Sequence, residues 1–395
     1  MDNGREVVVL SGVRTAIGDY GGTLKDVAPT DLAARVVKEA VARAKIAPDE
    51  VGHVVLGNVI HTEPKDMYIS RVATINAGLP KETPALTLNR LCGSGLQAII
   101  SAAQAVKLGD ADVAVGGGAE SMSRGGYVLP TERWGARMGN AEVMDMMVGA
   151  LTDPFDTVHM GITAENVAAK WGVSRQQQDE LAVESNKRAI NAIQKGYFKE
   201  QILPIELKGR KGPVIVDTDE HPRADASMDG MAKLRTVFQK DGTVTAGNAS
   251  GINDGASAVV LMERKAAERK GLKPIARLVA YAHAGVDPKY MGIGPVPAVK
   301  KVLERAGLRV QDMDVIESNE AFAAQACAVA KDLGFDMKKV NPNGGAIALG
   351  HPIGATGSIL TVKAIYELQR TGGRYGLVTM CIGGGQGIAA VFERL

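Results

Sequence analysis

Short apolar runs that end at glycine alternate with amphipathic segments along the first third of the chain. The apolar runs predict strands at residues 7–10, 53–56, 85–88 and 113–115. Helices are predicted at 32–44, with Thr30 or Asp31 as the N-cap, at 67–77, and from Gly95 onward. In this last helix the apolar residues recur at the spacing of one helical face: Leu96, Ile99, Ile100, Ala103 and Val106. Strands alternating with helices predict an α/β fold with helices covering a buried sheet.

The strand–helix rhythm stops after residue 120 and returns near 255–262. Between these points the sequence is polar and irregular, with a helix predicted around 174–195. This pattern predicts an inserted region within the first half of the fold. We therefore divide the chain into an N-terminal core half at 1–120, an inserted loop domain at 121–249, the completion of the first half at 250–275, and a C-terminal core half at 276–395.

The last third repeats features of the first. Segment 112–121 matches segment 377–386, because each reads as a strand followed by three glycines, and segment 53–58 is similar to 314–319. Two related βαβ units, with an insertion in the first, explain this economically.

Composition narrows the function classes. Lys and Arg total 46 against 44 Asp and Glu, which argues against a nucleic-acid binder working by bulk electrostatics. No apolar run reaches the ~18–20 residues of a membrane helix, and residues 1–18 do not resemble a signal peptide. The three cysteines are too few for a disulfide framework, and the six histidines lack metal-ligand spacing. We therefore expect a cytoplasmic protein with free thiols.

Cys92 lies where a predicted strand ends and a helix begins. The N–H groups and dipole of a helix start lower a thiol pKa, and the flanking Gly93 and Gly95 leave room for a substrate. These features predict a nucleophile on a tight turn. The alternative is a buried structural cysteine, the commoner fate of a lone thiol.

Four other residues stand in chemically suggestive positions. His351, in a glycine- and proline-rich loop, suits proton transfer near neutral pH, although it could simply bond the loop backbone. Cys381, which comes shortly before three glycines, is interpreted either as a second reactive thiol or as a buried residue at the end of a strand. Asn319 could orient a water or ligand, and Glu320 could accept from an imidazole, but helix capping competes for both. Cys327, in an alanine-rich helix, reads as packing.

Four blocks in sequence order resemble the thiolase family, and within it bacterial β-ketothiolases and acetyl-CoA acetyltransferases. They are Cys92-Gly-Ser-Gly, Asn319-Glu-Ala-Phe, Gly350-His-Pro-Ile-Gly-Ala-Thr-Gly and Cys381-Ile-Gly-Gly-Gly. Stretches starting at Trp134 and Met291 are similar to β-ketothiolases of polyester (polyhydroxyalkanoate) precursor synthesis. The resemblance implies a layered α-β-α-β-α arrangement of the duplicated core with its inserted loop domain. It also implies a homo-oligomer, either a dimer or a tetramer tied by part of 121–140.

The resemblance implies a two-stage reaction without a metal or cofactor. Cys92, activated by His351, is acylated by an acyl-CoA, and Cys381 then removes a proton from acetyl-CoA. His351 and a water on Asn319 hold the enolate, while the backbone N–H groups of Cys92 and Gly383 meet the oxyanion. The product is a 3-ketoacyl-CoA, and the reverse reaction is thiolysis.

The resemblance also implies where coenzyme A (CoA) binds. Arg223 would approach the nucleotide phosphates and Ser250 the pantetheine arm. Gly230 replaces a Ser of many relatives, so one polar contact is expected to be missing. The slot would be lined by Leu151, His159, Met160, Phe238 and Ala246, and the acyl pocket by Leu91, Met291, Phe322 and Met380. Methionine adapts its shape, so we predict activity on both C4 and C5 3-ketoacyl-CoA.

Two other functions stay open. A ketoacyl synthase on the same fold would share the cysteine nucleophile, but Cys381 argues against it. A non-catalytic carrier of lipid or CoA is disfavoured because all the proposed catalytic groups are present. We expect acyl-CoA partners and neither nucleic acid nor membrane.

Overall fold

The computed structural model describes residues 4–209 and 212–395. Its strands are β1 (Val7–Thr15), β2 (Gly18–Asp19), β3 (His53–Gly57), β4 (Ala85–Leu88), β5 (Val113–Ser121), β6 (Tyr127–Val128), β7 (Met144–Asp145), β8 (Ile202–Leu203), β9 (Ile205–Gly209), β10 (Gly212–Val216), β11 (Asn253–Glu263), β12 (Ala276–Gly285), β13 (Val315–Ser318), β14 (Tyr375–Ile382) and β15 (Gln386–Arg394). Its α-helices are α1 (Pro29–Ala44), α2 (Ile69–Asn76), α3 (Ser94–Leu108), α4 (Met146–Ala150), α5 (Met160–Trp171), α6 (Arg175–Gln194), α7 (Met228–Ala232), α8 (Arg264–Arg269), α9 (Pro295–Ala306), α10 (Ala323–Leu333), α11 (Ala346–Leu349) and α12 (Ile353–Thr371).

One eleven-stranded sheet runs through the described part of the chain in the order β13-β14-β15-β12-β1-β11-β5-β3-β4, with β2 on β11 and β8 on β1. The two halves meet where β1 pairs with β12, through only two residue pairs, Val8 with Arg277 and Val9 with Ala276. In each half a parallel pair is followed by antiparallel neighbours: β3, β5 and β11 in the first, β13, β14 and β15 in the second. The predicted duplicated α/β core is thereby confirmed.

Helices form the layers around the strands. The α3 and α12 helices pack on each other and lie between the two halves of the sheet, since both contact β5 and α12 also contacts β14. On the outer faces α1 covers β1 and β11, and α9 covers β12 and β15. Separate apolar clusters fill the inner and outer interfaces. This layering brings the starts of α3 and α12 together at one end of the core.

The two glycine triplets are not structurally equivalent, although the sequence suggests that they are. We expected the first strand to stop before Gly116-Gly117-Gly118, but β5 continues through them to Ser121, whereas Gly383, Gly384 and Gly385 form the turn between β14 and β15. A Cβ on Gly118 would lie 2.1 Å from the carbonyl oxygen of Gly354 in α12. The first triplet therefore permits close helix packing and does not end the strand.

Helix α1 begins earlier than expected. Its first residue is Pro29 and its N-cap is Ala28, which makes no side-chain cap, so neither Thr30 nor Asp31 caps the helix. Proline favours the first helical position because its φ is already helical and it has no N–H to satisfy there. By contrast, the helix expected around 174–195 is α6, which Ser174 caps through the backbone N–H of Gln177.

The region between β5 and β11 leaves and rejoins the core at adjacent positions. Ser121 at the end of β5 pairs directly with Asp254 at the start of β11. The intervening chain carries α4 to α7 and the hairpin of β9 and β10. Within the described residues, no helix is both long enough and apolar enough to span a bilayer.

Candidate active site

Cys92 lies on a tight turn between β4 and α3. Two side chains close the turn. Asn89 Oδ1 accepts from the Leu91 backbone N–H at 2.8 Å. The Ser94 hydroxyl accepts from the Arg90 backbone N–H at 2.8 Å and donates to Leu91 O at 2.7 Å. Leu91 has a φ of 44°, a left-handed conformation that a bulky residue adopts only when its surroundings impose it. The turn thus fixes the thiol at the start of α3.

Two expectations about this turn are wrong. Gly93 and Gly95 do not make room for a substrate, because a Cβ on Gly93 would lie 2.6 Å from Ile382 Cδ1 and one on Gly95 would lie 2.7 Å from the Ser358 backbone N. Nor is the thiol activated by the helix start. Burial raises the pKa of Cys92 to about 11, while hydrogen bonds from the backbone N–H groups of Gly383 and Cys92 act in the opposite direction. Desolvation outweighs these hydrogen bonds because most of the cavity wall around the thiol is apolar.

His351 is held in the loop between α11 and α12. Its backbone N–H donates to Asn253 Oδ1 at 3.0 Å, and the preceding Gly350, at φ 101°, leaves no space for a Cβ against the same Asn253. Its Nδ1 lies 2.6 Å from Thr356 Oγ1, whose hydroxyl donates to Pro352 O at 2.9 Å. When this hydroxyl donates to Pro352 O, Nδ1 carries the hydrogen and the Nε2 atom keeps its lone pair.

This imidazole is neutral and has one polar neighbour at Nε2. Burial lowers the pKa of His351 to about 4. Asn319 Nδ2 lies 3.4 Å from Nε2, and Asn319 Oδ1 is a buried oxygen without a hydrogen-bond partner in the described structure. A buried amide oxygen without a partner is costly unless a water or ligand binds it. The pair can therefore offer a base and an unfilled acceptor to the same small molecule.

Cys381 is the penultimate residue of β14 and is fully buried. Burial, with a smaller contribution from the nearby Cys92, raises the pKa of this thiol well above its usual range. Gly383 follows two residues later, in the turn after the strand, and its backbone N–H points to the Cys92 sulfur. The two thiols and the N–H donor thus meet although they come from opposite halves of the chain.

A cavity of about 180 Å³ joins Cys92, His351, Cys381 and Gly383, whereas Asn319 is not among its wall residues. Its walls include the following residues expected from the sequence: Leu91, Cys92, Leu151, His159, Met160, Phe238, Ser250, Met291, Phe322, His351, Cys381 and Gly383. Its walls also include residues that sequence reasoning missed: Met122, Ala150, Ala249, Gly251, Ile252, Ala321 and Ile353. Nearness in sequence to an expected residue could have indicated Ile353, Ala150, Ala249, Gly251, Ile252 and Ala321, whereas Met122 carries no such signal.

Two wall residues form a rigid aromatic stack. The rings of His159 and Phe238 lie 4.6 Å apart and 15° from parallel. His159 Nδ1 also accepts from the Gly161 backbone N–H at 3.0 Å, which caps α5, and a Cβ on Gly161 would collide with the Phe238 ring. Burial lowers the pKa of His159, so this wall is neutral and flat.

Three of the expected binding residues lie outside this cavity. Arg223 and Ala246 line a second cavity of about 380 Å³, together with Gly230, and Arg223 Nη2 lies 3.4 Å from Asp19 Oδ2. Met380 packs among the apolar residues between β14 and the helices α3 and α12, so it does not contribute to an acyl pocket. Successive residues of a strand face opposite sides, so Met380 and Cys381 cannot share one cavity wall.

Glu320 has neither of the roles expected for it. Its carboxylate accepts hydrogen bonds from Ser185, Asn341 and the Ile347 backbone N–H, and so it neither caps α10 nor contacts His351. Cys327 lies away from the cavity on α10, with its Sγ 3.8 Å from Gln177 O.

Comparisons with known proteins cover almost the whole chain. Residues 7–265 match the family model described as "Thiolase, N-terminal domain", and residues 272–394 match "Thiolase, C-terminal domain". The chain is 69% identical to "Beta-ketothiolase BktB" of Cupriavidus necator, over 99% of this chain and 100% of that protein. It is 50% identical to an acetyl-CoA acetyltransferase of Syntrophomonas wolfei, again over 99% and 100%. The crystal structure of the Bacillus anthracis acetyl-CoA acetyltransferase superposes with a TM-score of 0.97, at 47% identity and 99% coverage of both chains.

Proposed function

The chain belongs to the thiolase family, and on that premise we propose that it is a β-ketothiolase. The enzyme joins acetyl-CoA to a second acetyl-CoA or another short acyl-CoA, releases CoA and forms a 3-ketoacyl-CoA, and it catalyses the reverse thiolysis. One observation carries this proposal: a single apolar cavity contains two thiols, a neutral imidazole and a backbone N–H donor. That set suits a thioester exchange followed by a carbon–carbon bond formation.

In the first stage Cys92 becomes acylated. Its thiol gives a proton to His351 Nε2 as the sulfur attacks the thioester carbonyl, and the N–H groups of Cys92 and Gly383 stabilise the oxyanion. The bond to CoA then breaks, and the departing CoA thiolate takes a proton from Cys381. The neutral starting states match the raised thiol pKa values and the lowered imidazole pKa.

In the second stage the Cys381 thiolate removes a proton from the methyl group of acetyl-CoA. A thiolate of raised pKa is a strong base, which this weakly acidic carbon requires. The imidazolium of His351, together with a water on Asn319 Oδ1, donates to the enolate oxygen. The enolate carbon attacks the acyl group on Cys92. The released sulfur regains its proton from His351, so the scheme closes without a metal or cofactor.

The CoA arm would extend from this cavity toward the second one. Ser250 lies in the wall of the first cavity, and Arg223 lines the second, where its exposed guanidinium could approach nucleotide phosphates. The nearby Asp19 carboxylate reduces the net positive charge there. These positions support the roles we propose for both residues.

The test is thiolysis of acetoacetyl-CoA and 3-ketovaleryl-CoA by the purified protein, by Cys92→Ala and by Cys327→Ala. We expect wild type and Cys327→Ala to cleave both substrates, and Cys92→Ala to bind CoA without turnover. Cleavage of acetoacetyl-CoA alone would refute the C5 activity. Absence of any turnover in wild type, with CoA still bound, would favour a carrier.

The proposal includes a reducing cytoplasmic location, where free thiols persist, and a homodimer or homotetramer. Exposed apolar side chains between β5 and α4 support association, among them Trp134 at 84% and Met138 at 99% exposure. Such side chains rarely stay exposed in a monomer. Light scattering of the purified protein measures the subunit number, and a monomer would refute this part.

A further inference from the structure

A buried carboxylate lies at the end of β5, close to the cavity but not in its wall. Glu120 is fully buried, and its two oxygens accept four hydrogen bonds. Oε1 accepts from Asn58 Nδ2 and the Ile60 backbone N–H, both at 3.0 Å, and Oε2 accepts from the backbone N–H groups of Val59 at 3.1 Å and Gly354 at 2.7 Å. No step of the proposed reaction uses this group.

The four donors come from opposite halves of the chain. Residues 58–60 follow β3 in the first half, whereas Gly354 lies in the first turn of α12 in the second half. Ile353, beside Gly354, packs with Ile60 and Met122 against Cys92. His351 is only three residues before Gly354. A single side chain therefore joins the loop of the first half to the segment that carries the proposed base.

Glycines make this junction possible. A Cβ on Gly354 would lie 2.5 Å from Glu120 Oε2, and Cβ atoms on Gly57 and Gly118 would lie 2.9 Å and 2.1 Å from Gly354 O. The start of α12 can approach the carboxylate only because all three positions lack side chains. The contact is thus built into the packing of β3, β5 and α12.

We propose that Glu120 is a positioning residue, which fixes His351 and Ile353 relative to Cys92 by clamping the start of α12 to the loop at 58–60. Its role in turnover rests on the function proposed above.

Burial, a neighbouring carboxylate and three backbone N–H groups all affect the pKa of Glu120. Burial raises its pKa to about 8, the nearby Asp66 acts in the same direction, and the N–H groups of Ile60, Gly354 and Val59 lower it. Each oxygen of the carboxylate accepts two hydrogen bonds from N–H groups. A glutamine side chain in its place would point its own NH₂ group at such an N–H group, so that two donors would face each other.

The decisive experiment compares Glu120→Gln and Glu120→Asp with wild type. For Glu120→Gln we expect kcat to fall on the order of 10- to 100-fold, because a small misplacement of a reacting group has that effect, while the KM for CoA stays within about threefold. We also expect alkylation of Cys92 by iodoacetamide near neutral pH to slow, because His351, which takes the Cys92 proton in the proposed reaction, is displaced. Glu120→Asp keeps the carboxylate but not its reach, so kcat and the alkylation rate should both fall.

Glu165→Gln is the matched control. Glu165 is a buried carboxylate that accepts from three donors, the backbone N–H groups of Thr243 and Val244 and the Thr243 hydroxyl, none of which lies in α12. We expect this control to lose thermal stability while keeping kcat and the Cys92 alkylation rate of wild type. If Glu120→Gln does not fold, Glu120→Asp decides on kcat.

Two results would overturn the proposal: wild-type kcat in both Glu120 variants, or a wild-type rate of Cys92 alkylation in a folded Glu120→Gln. The alkylation measurement needs no turnover. A wild-type protein without thiolysis would therefore refute the proposed function while still leaving the positioning role of Glu120 to be judged from the alkylation rates.

Discussion

At the residue scale, the groups that we propose to react are held in their neutral forms. Burial raises the pKa values of Cys92 and Cys381 and lowers that of His351. The helix-start effect expected for Cys92 is overcome because α3 begins only at Ser94 and the thiol is desolvated. In the proposed reaction, each thiolate therefore forms during turnover and is absent beforehand.

This charge state predicts the titration of Cys92. We subtract the far-ultraviolet absorbance of Cys92→Ala from that of wild type, which leaves the contribution of the Cys92 thiolate. This contribution should not rise below about pH 9, which is two units below a pKa of about 11. The difference between wild type and Cys327→Ala serves as control and should also stay flat, because burial raises the pKa of Cys327 to about 12. A Cys92 thiolate signal near neutral pH would contradict the prediction.

The lowered pKa of His351 predicts a loss of stability in acid. The unfolded chain takes up this proton below about pH 6.5, whereas the folded protein resists it until about pH 4, so stability is lost as pH falls between these values. The full effect is about 3 kcal/mol. In urea titrations at several pH values, His351→Gln should show a shallower acid loss than wild type, and His61→Gln, at an exposed position, should not. Parallel pH dependence of wild type and His351→Gln would refute this assignment.

The sequence identifies chemically active residue types but not their partners. Cys92, His351 and Cys381 stand out because glycines lie close to each of them in sequence. Asn253 and Glu120 do not, since each meets its partner only through tertiary packing. A lone acidic residue at the end of an apolar strand, as at Glu120, is the one signal that could have drawn attention.

At the element scale, periodicity predicts most helices and strands, and errors occur where glycine has a packing role. The β5 strand continues through three glycines because α3 and α12 press against it. Local sequence cannot distinguish this use of glycine from a turn. The same ambiguity explains the mistaken view of Gly93 and Gly95.

Gly118→Ala tests this packing. The added methyl group would overlap Gly354 O, so we expect unfolding to become easier by at least about 2 kcal/mol, the usual cost of overpacking a rigid interior. Gly149→Ala is the control, because its Cβ would meet no atom within 4 Å, and its unfolding free energy should stay within about 1 kcal/mol of wild type. Equal stability of the two variants in urea unfolding would show that α12 can move away.

At the scale of the whole molecule, a buried ion pair ties the region between β5 and β11 to the central strand. Arg14 of β1 bonds both carboxylate oxygens of Asp219, at 2.7 Å and 2.9 Å, and both side chains are completely buried. Asp219 also accepts from the Ile17 backbone N–H at 2.8 Å. The fold class and duplication can be predicted from sequence, but this tie joins residues 205 positions apart and leaves no periodic signal.

Asp219→Asn should therefore destabilise the protein strongly. Removing one partner leaves the Arg14 charge buried and uncompensated, at a cost of roughly 3–5 kcal/mol. Glu82→Gln is the control, because Lys81 and Glu82 lie 4.0 Å apart on the surface. We expect the melting temperature to fall only for Asp219→Asn, and an unchanged melting temperature there would refute the role of the pair.

The pairing of Ser121 with Asp254 has an evolutionary consequence. The region between β5 and β11 leaves the sheet and rejoins it at two directly paired residues of neighbouring antiparallel strands. Recombination between relatives can therefore exchange this region without moving either strand. This segment supplies Met160 and Phe238 to the cavity, while Cys92, His351 and Cys381 belong to the core. Replacing this segment can thus change the wall of the cavity while the proposed bond-forming groups of the core keep their positions.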